Sequence, residues 1–192
     1  MNISYTGAWL FGGAALQSQH LFDKRLADGI VALANQLGHT KAYDFGCGEG
    51  KYTQLLNSSG IQTEGFDGNP CTGSYSNCYV QDLTDASFSK EPRPFVVSLE
   101  VCEHVPKELE EVLLSTIDRH VDVGGTLVLS WAIVGQGGLG HVNCQNNDYV
   151  IAKLRSMGYT YEAAHSKTLR QASDGRVAPW FSNTILVFSK VV

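Results

Sequence analysis

From His20 onward the apolar positions Leu21, Phe22, Leu26, Ile30, Val31, Ala34 and Leu37 recur at three- and four-residue steps and stop at Gly38. That period predicts an amphipathic helix closed by a glycine. A short run, Ala42-Tyr43-Asp44-Phe45, follows and breaks into glycines at 46, 48 and 50, as a buried strand entering a turn does. The alternation continues. A helix carrying Tyr52, Leu55 and Leu56 ends near Gly60, and strands are expected around 63–66, 78–80 and 95–99. A helix over 106–121 places Leu109, Val112, Leu113 and Ile117 on one face, with Pro106 suited to its first turn. A strand over 125–131, a helix over 149–157 closed by Gly158, and extended runs at 159–163 and 184–188 complete the pattern. Residues 1–19 show no clear period. Strand and helix in alternation predict an α/β fold, a doubly wound and mostly parallel sheet with helices on both faces.

Length and charge narrow the picture. At 192 residues the chain suits one domain, read as a core over 20–192 with a lid over 1–19. Its 43% hydrophobic and 17% charged residues suit a packed chain, which sets a disordered one aside. A formal net charge of −5 argues against a broad grip on nucleic acid, since that affinity comes from Lys and Arg neutralising phosphates. No apolar stretch approaches the roughly 18 residues of a membrane span, and the first residues carry no basic leader, so a cytoplasmic protein is expected. Five cysteines without a Cys-x-x-Cys pair read as reduced thiols rather than a zinc knuckle.

In such sheets ligands bind beyond the carboxyl ends of the strands, where the unusual residues of this chain gather. Asp44-Phe45-Gly46-Cys47-Gly48-Glu49-Gly50 follows a strand and opens a helix. A dinucleotide fingerprint needs glycine at 51, which is lysine, and no Gly-Lys-Ser/Thr closes a phosphate loop. Acids at 44 and 49 would repel a polyphosphate and suit a ligand bearing an ammonium or sulfonium. Asp67 falls where a carboxylate accepts both hydroxyls of a ribose, and Asp82 where one accepts from an exocyclic adenine amine.

With these residues in order, the chain resembles the class I S-adenosylmethionine-dependent methyltransferases over about residues 20–190. The resemblance implies a Rossmann-like sheet of seven strands whose last strand is antiparallel. It implies that Asp44, Gly46, Cys47, Gly48 and Gly50 hold the methionine end of S-adenosyl-L-methionine, Asp67 and Gly68 the ribose, and Asp82 with Leu83 the adenine. The Leu99 and Glu100 backbone would lie beside the methionine ammonium. The segment Glu100-Val101-Cys102-Glu103-His104 is also similar to the metal-binding run of ubiquinone-pathway O-methyltransferases and of small-RNA 2′-O-methyltransferases.

Two chemistries stay open at the reacting centre. Glu100, Glu103, His104 and His141 suit Mg²⁺, Mn²⁺ or Zn²⁺, which would favour an acceptor alkoxide. Without a metal, His104 or His141 is the general base and Glu100 faces the cofactor. Trp131, Gln136, Asn143, Arg170 and Trp180 are expected on the acceptor rim, which the long loops 133–146 and 165–180 complete. The leading expectation is methyl transfer to a hydroxyl of a small molecule or glycan. RNA ribose methylation and a binding-only module are the alternatives.

Overall fold

The computed structural model describes residues 2–192, and among them seven strands form one sheet. The elements in chain order are α1 (Gly13–Gln19), α2 (Lys24–Gln36), β1 (Lys41–Phe45), α3 (Lys51–Ser58), β2 (Gln62–Asp67), β3 (Cys78–Val80), β4 (Arg93–Ser98), α4 (Glu110–Arg119), β5 (Val121–Ser130), α5 (Asn147–Ser156), β6 (Tyr159–Tyr161), α6 (Ala163–Ala172), α7 (Phe181–Thr184) and β7 (Ile185–Lys190). Short 3-10 turns lie at Pro70–Ser74 and Lys107–Leu109. Strand order is β3-β2-β1-β4-β5-β7-β6. Only β7 runs antiparallel to its neighbours, and the winding reverses between β1 and β4. The doubly wound α/β sheet expected from the alternation is what forms.

The central strands β1, β4, β5 and β7 carry apolar residues on both faces because both are covered. Tyr43, Val96, Leu127, Leu129, Leu186 and Phe188 face the layer of α4 and α5, whose Leu113, Leu114, Ile117, Val150 and Leu154 are buried there. Ala42, Phe95, Val97, Val128, Ile185 and Val187 face the other layer, where α2, α3 and α6 bring Leu26, Ile30, Leu33, Leu56 and Leu169. Full burial of each such aliphatic side chain contributes about 2 kcal/mol. Asp23 caps α2 by accepting from Leu26 N at 3.0 Å, and its second oxygen accepts from Asp174 N at 2.7 Å. One buried carboxylate thus starts a helix and pins a distant loop.

Three departures from the periodic reading have local causes. Residues 13–19 are helical although only Leu16 is buried, too little to leave an apolar stripe. Residues 163–172, placed in a loop by the sequence, form α6, which buries only Ser166 and Leu169. It approaches α2 at Gly29, where an added Cβ would stand 3.1 Å from Ala172 Cβ and 3.2 Å from Leu169 Cδ2. The helix expected over 106–121 opens with the 3-10 turn and ends at Arg119. Among the described residues no helix is long and apolar enough to cross a membrane.

Candidate active site

The strand ends that part at the β1/β4 reversal open into a cleft of about 260 Å³. After β1, Gly46, Gly48 and Gly50 take φ of 81°, 52° and 71°, a region that favours glycine. Space forbids side chains there as well. A Cβ at 46 would run into Val101, at 48 into the His20 ring, and at 50 into Cys78 Sγ. Asp67 at the end of β2 braces the loop, accepting from Gly48 N at 2.9 Å and from Asn69 N at 2.7 Å.

Asp44, Asp67, Asp82 and Leu83 line the cleft with Gly46, Cys47, Gly68, Leu99 and Glu100. Asp44 is buried and accepts from Thr53 Oγ1 at 2.7 Å; burial, against that bond, raises its pKa to about 6. Asp82 Oδ1 accepts from Thr84 N and Thr84 Oγ1 at 2.8 and 2.7 Å, which fixes its carboxylate at the mouth. Glu49 ion-pairs with Lys51 at 2.8 Å.

After β4, Glu100 adopts a left-handed φ of 57°, uncommon for a residue with a Cβ. Ser130 at the end of β5 holds it there: its Oγ accepts from Glu100 N and donates to Glu100 Oε1, both at 2.7 Å. Burial raises the Glu100 pKa to about 7. Glu103 is completely buried, neither carboxyl oxygen has a hydrogen-bond partner, and burial together with the Glu100 charge pushes its pKa well up.

The His104 and His141 rings lie 5.0 Å apart, nearly perpendicular. Burial, and then the charge of His141, lower the His104 pKa to about 4, so His104 is neutral near pH 7 and has a free lone pair. His141 Nδ1 lies 3.2 Å from Gln136 O. A Cβ at Gly138 would run into the His141 ring, so the glycine loop makes room for the imidazole. Donor atoms of Glu103, His104 and His141 converge within 4.8 Å of one another. Glu100 stays outside that group, engaged with Ser130.

Residues 2–11 fold across the mouth. An Ile3–Trp9 bridge closes a hairpin, Asn69 Nδ2 donates to Phe11 O at 2.9 Å, and Trp9 packs against Phe11, His20 and His104 with centroids 5.1–5.3 Å apart. Met1, the first residue of the expected lid, lies outside the described residues.

Of the acceptor residues expected from sequence, Gln136 and Trp180 line the cleft. The other three lie elsewhere. Trp131 is buried and donates through Nε1 to Asn143 O; Asn143 is buried and donates to Glu110 Oε2 at 2.8 Å; Arg170 sits on α6 and donates through Nε to Ile185 O at 2.7 Å. Asn143 turns inward because the 133–146 segment is stapled to the core: Glu103 O accepts from Val142 N and Asn143 N. The sequence reading missed Phe22, Tyr52, Val105, Leu139 and Phe181 in the lining, and Ser130 behind Glu100. Only Leu139, an apolar residue inside a glycine run, carried a signal.

Residues 18–166 match a family described as a methyltransferase domain. The fold is similar to a sugar N-methyltransferase of Streptoalloteichus sp. (TM-score 0.70, 13% identity, 95% of this chain and 96% of that one). It is also similar to magnesium protoporphyrin IX methyltransferase of Synechocystis with bound S-adenosylhomocysteine (0.64, 19%, 87% and 83%). A TehB-like S-adenosylmethionine-dependent methyltransferase of Corynebacterium glutamicum is similar as well (0.61, 20%, 84% and 87%). No curated protein matches at the sequence level.

Proposed function

The chain belongs to the class I S-adenosylmethionine-dependent methyltransferases, and on that premise we propose that it methylates a hydroxyl of a small molecule or sugar. The cleft fits the cofactor by its chemistry: carboxylates at three successive strand ends, a glycine loop braced by one of them, and no phosphate-binding lysine. Asp67 and Gly68 would take the ribose, Asp82 and Leu83 the adenine, and Asp44, Gly46, Cys47, Gly48, Gly50, Leu99 and Glu100 the methionine end. When bound, S-adenosylmethionine supplies an electrophilic methyl group on a sulfonium.

The chain's own residues supply alignment, exclusion of water and a proton acceptor. The observation that carries the hydroxyl reading is a set of buried polar atoms without partners at the acceptor end: Trp9 Nε1, His104 Nδ1 and Trp180 Nε1. Indole N–H groups can hold an oxygen by donating to it, and the neutral His104 ring offers a lone pair to the hydroxyl proton, as a weaker base than a free imidazole because burial lowers its pKa. The 2–19 segment serves as the lid that keeps water out.

A second reading rests on Glu103, His104 and His141. One carboxyl and two imidazoles suit Mn²⁺ or Zn²⁺, and Mg²⁺ with added waters; the partnerless Glu103 oxygens and the His141 Nδ1 contact with Gln136 O are what a ligand set with an oriented imidazole presents. Such an ion would act by lowering the acceptor's pKa.

One experiment addresses both. Labelled cofactor is offered with panels of sugars, phenols, amines and short RNAs, before and after exhaustive chelation and Mg²⁺ or Mn²⁺ add-back. Transfer to hydroxyl acceptors is expected, and His104→Gln should lower kcat about 10²–10⁴-fold with cofactor affinity unchanged. Transfer confined to amines or thiols sinks the hydroxyl reading, and full activity after chelation sinks the metal. Tight cofactor binding with no transfer to any panel points to a binding-only module.

A further inference from the structure

Once the strand-end acids are assigned to the cofactor, the remaining wall of the cleft includes the apolar residues Trp9, Phe22, Val105, Leu139, Trp180 and Phe181, beside neutral polar side chains such as Gln19 and Gln136 and the His104–His141 pair. Its charge is one-sided. Lys51 is the only Lys or Arg among the described residues lining the cleft, and its Nζ lies 2.8 Å from Glu49. Two cations that could have served are committed elsewhere. Lys107 Nζ lies 2.8 Å from the Glu110 carboxylate, and Arg170 lies outside the lining, donating through Nε to the Ile185 carbonyl while its Nη2 is buried without a partner. With Glu49 paired to that cation, the carboxyl groups of Asp67 and Asp82 stand uncompensated in the lining, joined by Asp44 and Glu100 as pH rises past about 6 and about 7.

Recognition of a phosphate or carboxylate is served most strongly by a guanidinium fork, a free ammonium or an open helix N-terminus. None is available to an acceptor here. The α3 N-terminus opens on this cleft, but Glu49 directly precedes its Gly50 cap, and Gly48 N already donates to Asp67. What the wall does offer is flat aromatic surface and two buried indole N–H groups without partners.

Resting on the methyl-transfer reading of this cleft, we propose that the acceptor is a compact, uncharged or amine-bearing molecule that lays a flat apolar face against Trp9, Phe22 and Trp180 and carries no phosphate or carboxylate. An aromatic ring and the apolar face of an unphosphorylated sugar both meet that description. An RNA strand, a nucleotide sugar or an aromatic acid brings its charge into a cleft whose uncompensated side-chain charge is carboxylate and is rejected.

The test uses the full chain saturated with S-adenosylhomocysteine and equilibrium dialysis of three phenols of similar size: neutral 4-methylphenol, cationic tyramine and anionic 4-hydroxyphenylacetate. The first two are expected to bind at least tenfold more tightly than the third. Gln136→Lys, which sets an unpaired ammonium on the rim, should raise the affinity for 4-hydroxyphenylacetate relative to that for 4-methylphenol severalfold, and an unchanged ratio overturns the proposal. Equal binding of 4-hydroxyphenylacetate to the unmodified protein, or binding of none of the three to the loaded protein, overturns the proposal. Failure of S-adenosylhomocysteine to bind overturns the assignment of the acids to the cofactor, and this proposal with it.

Discussion

At the scale of single residues, the cleft is arranged as much by missing side chains as by present ones. Gly138 makes room for the His141 imidazole, whose ring an added Cβ would strike. Gly138→Ala should therefore displace His141 relative to His104. A misplacement of about 1 Å at a reacting group can cost on the order of 10²-fold in rate. The expected outcome is a kcat loss of at least tenfold, with S-adenosylhomocysteine affinity and melting temperature unchanged, read by steady-state kinetics beside calorimetry. An unaltered kcat would remove His141 from the chemistry. Ser130 works differently, since one hydroxyl satisfies both the backbone and the side chain of Glu100 and so holds an unfavourable φ in place.

At the scale of elements, α2 and α6 approach closely at Gly29. Gly29 leaves no slack against Ala172 and Leu169, so Gly29→Leu forces the two helices apart. Overpacking costs about 1–3 kcal/mol, against which the better helix propensity of leucine returns about 0.8 kcal/mol. A net destabilisation of about 1 kcal/mol is expected in urea unfolding, with no effect on cofactor affinity. A stabilised variant would show that α6 can move outward freely. The same contact explains why α6 escaped the sequence reading: a helix that packs through Ser166, Leu169 and Ala172 shows no strong apolar stripe. Elements with dense apolar periods, such as α2 and α4, were legible, as was the alternation that set the sheet. The site divides likewise. Acids and glycines at strand ends are placed by topology, so Asp44, Asp67, Asp82 and the glycine loop could be located from their positions in the chain. The acceptor wall is assembled from segments far apart in sequence. Nothing local marked Phe22 or Val105 for the cleft, or showed that Trp131 and Asn143 would turn inward to staple a loop.

For the whole molecule, buried titratable groups pull stability in two directions. His120 is completely buried among Tyr43, Phe45 and Phe88; its Nδ1 lies 2.6 Å from Thr116 O, while its Nε2 accepts from Lys90 N. Burial lowers its pKa from 6.5, so the unfolded chain binds the proton more readily and stability falls as pH drops below 6.5. Asp44 and Glu100, raised by burial to about 6 and about 7, act the other way, since the folded state holds their protons longer and loses stability as pH rises through those values. Replacing His120 by Gln isolates the first effect. The variant should be about 1–3 kcal/mol less stable above pH 7.5, with the gap narrowing as pH falls below 6.5. A gap that stays constant across that range would mean that His120 binds its proton equally well in the folded and unfolded chain.

Strand β7 lies between β5 and β6, although β6 precedes it in the chain. During synthesis, β6 therefore has no partner in the sheet until residue 190 has left the ribosome. Ile185, Leu186, Val187 and Phe188, buried in both layers, arrive last as well. The half bearing the acids and the glycine loop is translated early, but the second half of the sheet waits for the final strand. A nascent chain halted before residue 185 would carry an unpaired β5 edge and an exposed apolar face, features that invite association with other chains.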